Sequence, residues 1–132
     1  MTLAEFTNAH PALAEFWHPV ARSSDVGHEP VAVQLAGQGW ALTRFDGGAV
    51  AAFADACPHR RARLSAGQVS GGTLQCTYHG WRFAADGRCV EIPALGDDGS
   101  IPERATLRRP AQVAEHDGLV WLAPMPPRAP VP

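Results

Sequence analysis

Cys57-Pro58-His59-Arg60 and Cys76-Thr77-Tyr78-His79-Gly80 each set one thiol and one imidazole within a few residues of each other. Sixteen residues separate His59 from Cys76, so two short elements offer four ligands in the order Cys, His, Cys, His. Thiolate and neutral imidazole are donors that suit iron–sulfur clusters and zinc. Pro58 stiffens the first element. Gly80 follows the second, where a missing side chain lets backbone come close to sulfur. Two such loops facing each other would clamp a metal group from both sides.

The rest of the chain sets the frame for those loops. At 132 residues it fits one domain with a core of its own. Apolar residues make up 45% and charged residues 18%, which excludes wholesale disorder. The net charge of −2 leaves no basic field for nucleic acid, and no basic amphipathic run suits a membrane surface. No stretch approaches the ~18–20 apolar residues of a membrane span, and the N-terminus lacks the basic-then-apolar order of a secretory signal. A cytoplasmic location is expected. Three cysteines exclude a full disulfide framework, and the His neighbours of Cys57 and Cys76 favour metal. Cys89 stands alone in Arg88-Cys89-Val90-Glu91-Ile92-Pro93 and reads as a buried, inert thiol on a strand.

Strand signals dominate after the first residues. Residues 3–16 predict a short helical segment interrupted by Pro11. Val31–Leu35 alternates, Gly37-Gln38-Gly39 is read as a break, and Trp40–Phe45 resumes. Asp46-Gly47-Gly48 turns the chain into Ala49–Ala54. Asp86-Gly87 and Asp117-Gly118 are hairpin signals, since both residue types tolerate the positive φ that tight turns require. Leu119-Val120-Trp121-Leu122 has the apolar run of a buried strand. Short strands with Gly- and Asp-rich turns predict an all-β fold, an antiparallel sandwich or small barrel. The tail 123–132 carries too many prolines to pair at most positions and reads as an extended end or a linker.

Two metal groups fit the four ligands. A [2Fe–2S] cluster can carry two Cys on one iron and two His on the other, which assigns Cys57 and Cys76 to one ferric iron and His59 and His79 to the other. Structural zinc is the alternative. Its two-Cys, two-His sites usually pair like ligands within one element, whereas here each element is mixed. His10, His18, His28 and His116 lack a partner at ligand spacing. Asp25 and His28 offer one carboxylate and one imidazole, but the next His is His59, so a mononuclear two-His, one-carboxylate iron site is not expected in this chain.

The chain resembles the Rieske domain of Rieske non-haem iron oxygenases, the ring-hydroxylating and demethylating enzymes. The likeness runs from about Trp17 to Leu122. It takes in Trp17-His18-Pro19-Val20-Ala21, Cys57-Pro58-His59-Arg60 and Leu64-Ser65-Ala66-Gly67. Cys76 to Phe83, Asp86-Gly87, Ile92-Pro93 and Gly118-Leu119-Val120-Trp121 continue it. The resemblance implies a β-sandwich with a small cluster-binding subdomain of two loops, flanked by a helical segment at 1–16 and the tail at 123–132. It implies a Rieske-type [2Fe–2S] cofactor, with His59 and His79 on the more exposed iron. Arg61 stands where the family usually has Gly, and the family's catalytic domain with its mononuclear iron is missing. High-potential Rieske proteins of respiratory complexes carry an extra cysteine in each loop and a serine after the second His-Gly; here Ala62, Tyr78 and Trp81 stand there instead. Without those donors the resemblance implies a potential at the low end of the Rieske range, around −150 mV.

These readings imply electron transfer through a low-potential cluster that serves a non-haem iron oxygenase system. The implied donor is a flavin or ferredoxin reductase, and the implied acceptor is a mononuclear iron domain or subunit. The alternatives are a truncated or split oxygenase subunit and a non-redox zinc module. Trp81 is expected to cover one side of the cluster. Arg60, Arg61 and Arg63 are expected to form a basic patch for an acidic partner. Reduction adds a negative charge beside His59 and His79 and favours their protonated forms, so the potential is expected to fall at alkaline pH.

Overall fold

The computed structural model describes residues 11–45, 48–58, 62–77, 80–96 and 99–132. Ten strands make three antiparallel sheets, and the helices among the described residues are short 3-10 turns. The all-β expectation holds. The first sheet places β10 (Leu119–Ala123) between β1 (His18–Arg22) and β9 (Gln112–His116). The second is a meander of β2 (Val31–Leu35), β3 (Gln38–Arg44) and β4 (Val50–Ala54). The third orders β5 (Gln68–Ser70), β6 (Thr73–Gln75), β7 (Arg82–Phe83) and β8 (Cys89–Glu91).

The middle sheet is buried on both faces, and β3 shows why its sequence hides the usual alternation. Trp40, Ala41, Leu42 and Thr43 are all buried. Side chains alternate across a strand, so Trp40 and Leu42 enter one core while Ala41 and Phe45 enter the other. The first core joins Trp40, Leu42, Ala52 and Ala54 to Val120 and Leu122 of the β10 sheet. The second joins Ala41, Phe45 and Phe53 to Leu64, Leu74 and Phe83 beside the third sheet. Arg44 ties the layers at their edge. Its Nη1 and Nη2 donate to Glu115 Oε1 and Oε2 at 2.9 Å each, and its Nε donates to the Val26 carbonyl at 2.9 Å.

Turn chemistry fixes the registers. Asp117 and Gly118 take φ of 53° and 76°, the double left-handed turn whose twist matches paired strands. Ala36 and Gly37 do the same at 54° and 75°. The expected break over 37–39 is therefore narrower: Gln38 and Gly39 already pair with Leu35 and Gln34 in β3. At Asp86-Gly87 only Gly87 has positive φ, and Ala84 N–H donates to the Arg88 carbonyl across a longer loop. Pro11 does not interrupt a helix among the described residues but opens the 3-10 turn Pro11–Glu15, where a missing N–H is no loss. The expected turn at Asp46-Gly47 and the helical reading of residues 3–10 lie outside the described residues. Past Ala123 the tail forms no strand and bends at Pro124 and Arg128: Met125 and Arg128 N–H donate to the carbonyls of Ala14 and Glu15, and Trp17 Nε1 donates to the Ala129 carbonyl.

Candidate metal centre

Cys57 and Cys76 enter the same core. Both are buried, at 0% and 1% exposure, among Leu64, Leu74, Phe83 and Ile92. The same device closes each loop. Cys57 N–H donates to the Ala62 carbonyl at 2.8 Å, and Cys76 N–H donates to the Trp81 carbonyl at 2.8 Å, five residues on in both cases. Each bond closes a loop on its cysteine, and the two closures are the first and second knuckle. His59 and His79 lie outside the described residues, as do Arg60, Arg61 and Tyr78. With two of the four expected ligands outside, no three His, Cys, Asp or Glu side chains gather at metal-holding distance among the described residues.

Beyond the first knuckle the chain packs tightly, backbone to backbone, on the strand that leads into the second. A Cβ built on Gly67 would stand 2.2 Å from the carbonyl oxygen of Gln75, the residue before Cys76. Only glycine permits that contact, and the β5–β6 pairing Gln68↔Gln75 starts at once beyond it. Gly80 sits at φ +70°, so its glycine answers a left-handed turn after the second knuckle; the nearest atom to a Cβ there is Gln75 Nε2, at 3.2 Å. Trp81 is half-buried and packs on the core beside the cysteines.

Asp55 holds the first knuckle from below and carries no signal in the sequence. Its carboxylate is 6% exposed. Oδ1 accepts the Ser65 N–H at 2.8 Å, and Oδ2 accepts the Ser65 hydroxyl at 2.6 Å. Arg63 Nε stands 3.6 Å from the same Oδ2, so one member of the expected basic patch is drawn toward a carboxylate. Two residues before Cys57, this clamp spans the loop and fixes where it leaves β4. A pair so far apart in the chain could be seen only as an Asp and a Ser flanking the motif.

The remaining candidates make other contacts, although Cys89 shares the buried cluster of Cys57 and Cys76. Cys89 is buried, its thiol lies 3.6 Å from the Glu91 carbonyl, and desolvation pushes its pKa up. That fits the inert reading. Asp25 pairs with Arg22 at 3.1 Å. His18 Nε2 lies 2.8 Å from the Leu13 carbonyl, and His116 Nδ1 lies 3.4 Å from Asp117. His10 is outside the described residues. No helix among the described residues is long and apolar enough to cross a membrane.

The donor chemistry and the geometry fit a [2Fe–2S] group. Two cysteines from separate loops share one buried, largely apolar cluster, and in sequence each is followed by a histidine two or three residues on. Comparison with known proteins agrees. The pea (Pisum sativum) chloroplastic protein TIC 55 is 36% identical over 109 residues, covering 82% of this chain and 20% of that protein. Methylxanthine N1-demethylase NdmA of Pseudomonas putida is 38% identical over 118 residues, covering 83% of this chain and 32% of that protein. The crystal structure of dicamba monooxygenase bound to dicamba superposes with a TM-score of 0.81 at 35% identity, over 91% of this chain and 37% of that one. This chain thus spans about a fifth to a third of the length of these two curated relatives. The resemblance to Rieske non-haem iron oxygenases holds. The model of the Rieske [2Fe–2S] domain matches residues 16–114, and the chain belongs to that family, whose cofactor is a Rieske-type [2Fe–2S] cluster.

Proposed function

We propose that the chain is the electron-transfer unit of a non-haem iron oxygenase system, with Cys57, His59, Cys76 and His79 as the cluster ligands. The observation that carries this is the pair of buried cysteines at the feet of two knuckles closed by the same hydrogen bond. When bound, a [2Fe–2S] group supplies one-electron exchange at a potential set by its ligands and their hydrogen bonds. The protein's part is to hold, shield and expose. Cys57 and Cys76 sit on the core side, and Trp81 and Leu64 exclude water there. Ala62 and Trp81 accept hydrogen bonds from backbone and supply no hydroxyl donor to sulfur, which supports a potential near the low end of the Rieske range, around −150 mV.

Residues 17–122 form the electron-transfer unit, with 1–16 and 123–132 as flanking segments. A flavin or ferredoxin reductase delivers the electron, and a mononuclear iron domain or subunit receives it, in a cytoplasmic setting. Oxygenase chemistry as a whole belongs to that larger system, since the relatives extend well beyond the portion matched here. The test is composition and spectroscopy of the purified protein. About two irons and two acid-labile sulfides per chain are expected, with a lower average g-value on reduction than an all-cysteine cluster shows. Cys57→Ser should abolish the visible bands. One zinc and no colour would overturn the reading.

A further inference from the structure

The described arginines divide into two groups. Arg22, Arg44, Arg63, Arg82 and Arg128 each have a carboxylate within 4 Å. Arg88, Arg104, Arg108 and Arg109 have no such partner among the described residues, and all four are exposed. Arg88, Arg104 and Arg108 fall in one place, and Arg109 faces the other way beside Val50 and Gln112. The segment 104–109 runs antiparallel to the start of β8: Arg88 bridges Thr106, Cys89 N–H donates to the Ala105 carbonyl, and Leu107 N–H donates to the Gly87 carbonyl. Ala105 and Leu107 are buried, so the alternating Arg104, Thr106 and Arg108 face outward together with Arg88. The carboxylates at this ribbon among the described residues are Asp86, whose Oδ1 accepts the Arg88 N–H, and Glu103. Arg88, Arg104 and Arg108 against two anions leave this strip net positive on a chain whose net charge is −2.

That strip borders the first knuckle. The Arg108 carbonyl accepts a hydrogen bond from the N–H of Ala54 at 2.7 Å, three residues before Cys57. Thr106 and Arg108 line one recess together with Cys57 and Pro58. On the other side of the strip, Val90 shares the outer face of β8 with Arg88 and is 40% exposed. A positive rim with an exposed apolar residue, next to a ligand loop, has the make-up of an electron-transfer contact: charge guides the approach, and a small apolar area completes it.

We infer that Arg88, Arg104 and Arg108 form the docking face for an electron-carrier protein whose redox centre is ringed by acidic residues. The inference rests on the electron-transfer reading of the knuckles and adds where that partner binds. Electrostatic steering changes association rates by about 10- to 1,000-fold and weakens as salt shortens the screening length.

The experiment measures second-order reduction of the cluster-loaded full chain by a reduced plant-type [2Fe–2S] ferredoxin, used as the acidic probe, and by photoreduced lumiflavin as a neutral one. Arg104→Glu with Arg108→Glu should slow the ferredoxin reaction about tenfold or more at low salt and flatten its salt dependence. The lumiflavin rate and the visible spectrum should not move. Arg22→Glu, on β1 of another sheet, should stay within about twofold of the parent. If the double reversal loses its cluster, Arg104→Gln with Arg108→Gln serves in its place. A full cluster, a normal lumiflavin rate and an unchanged ferredoxin rate overturn the docking face alone. Absence of iron and sulfide from the parent protein overturns the electron-transfer reading beneath it. Binding to phosphatidylglycerol vesicles that is lost in the double variant, with no change in the ferredoxin rate, makes the strip a lipid surface and also overturns the proposal.

Discussion

The two ends of this molecule are built on different terms. At the base, the β2–β3–β4 and β1–β10–β9 sheets have strands of five to seven residues and share a core of Trp40, Leu42, Ala52, Val120 and Leu122. At the tip, β5 to β8 are two or three residues long, and the core they cover includes Cys57 and Cys76. Two-residue strands contribute few ladder hydrogen bonds, and a three-residue hairpin is marginal alone. The base is held by long ladders and continuous apolar burial. The tip is held by contacts that meet at the cysteines: the Ala62 and Trp81 closures, the Gly67–Gln75 approach and the Asp55–Ser65 clamp. Strength therefore lies where the sheets are regular, and function lies where they are not.

Matched truncations give the strongest way to break that contrast. Leu42 and Leu74 are both fully buried leucines, one in each core. Leu42→Ala should cost about 2–5 kcal/mol and lower the denaturation midpoint of the whole chain. Leu74→Ala should speed hydrogen exchange chiefly through the 57–92 region and leave the base amides closer to their parent protection. Identical exchange maps for the two variants would mean that base and tip open as one unit.

The contrast also explains what could be read from the sequence. Asp117-Gly118 announced its hairpin, because two adjacent residues that tolerate positive φ are a local signal. Val31–Leu35 announced β2 because one of its faces is less buried than the other. β3 could not be placed in its layer, because Trp40–Thr43 is buried on both faces and loses its period. Of the tip strands only β8 was legible, in the run around Cys89; β5, β6 and β7 were too short for any period to show. The ligand motif was legible because its residue types are rare and closely spaced. Arg44–Glu115 and Asp55–Ser65 were not, since charged and hydroxylic residues gain partners only once the fold brings distant positions together.

Asp55 sharpens the boundary between the two ends, since it leaves β4 of the base and holds the first knuckle of the tip. Its carboxylate accepts two hydrogen bonds from Ser65 while almost fully buried. A hydrogen bond to a charged group contributes about 1.5–3 kcal/mol, and truncation strands both Ser65 donors. Asp55→Ala should therefore destabilise by about that amount in urea and hasten iron loss to a chelator. Ser65→Ala removes only the hydroxyl and should lose about half as much. A variant with parent stability and parent iron retention would show that the clamp follows the knuckle without shaping it.

The smallest effect belongs to the base and depends on pH. Arg44 grips Glu115 with two hydrogen bonds, and these hold the Glu115 carboxyl below the usual carboxylate range. A carboxylate with a depressed pKa in the folded state stabilises the protein above its unfolded pKa, about 4.3, and that stability is lost as pH falls through the folded value. The pair is partly exposed, so solvent screening limits it to about 0.5–1 kcal/mol despite its bidentate geometry. Glu115→Gln should accordingly be less stable than the parent near pH 7. The gap should close as the pH drops below about 4, because the parent then loses the same charge. Thermal midpoints of both proteins from pH 7 to pH 3 measure this directly. A gap that did not narrow at all as the pH fell from 5 to 3 would assign the loss to the side chain's packing against the 23–26 turn, and the charge would have no part in joining β3 to β9.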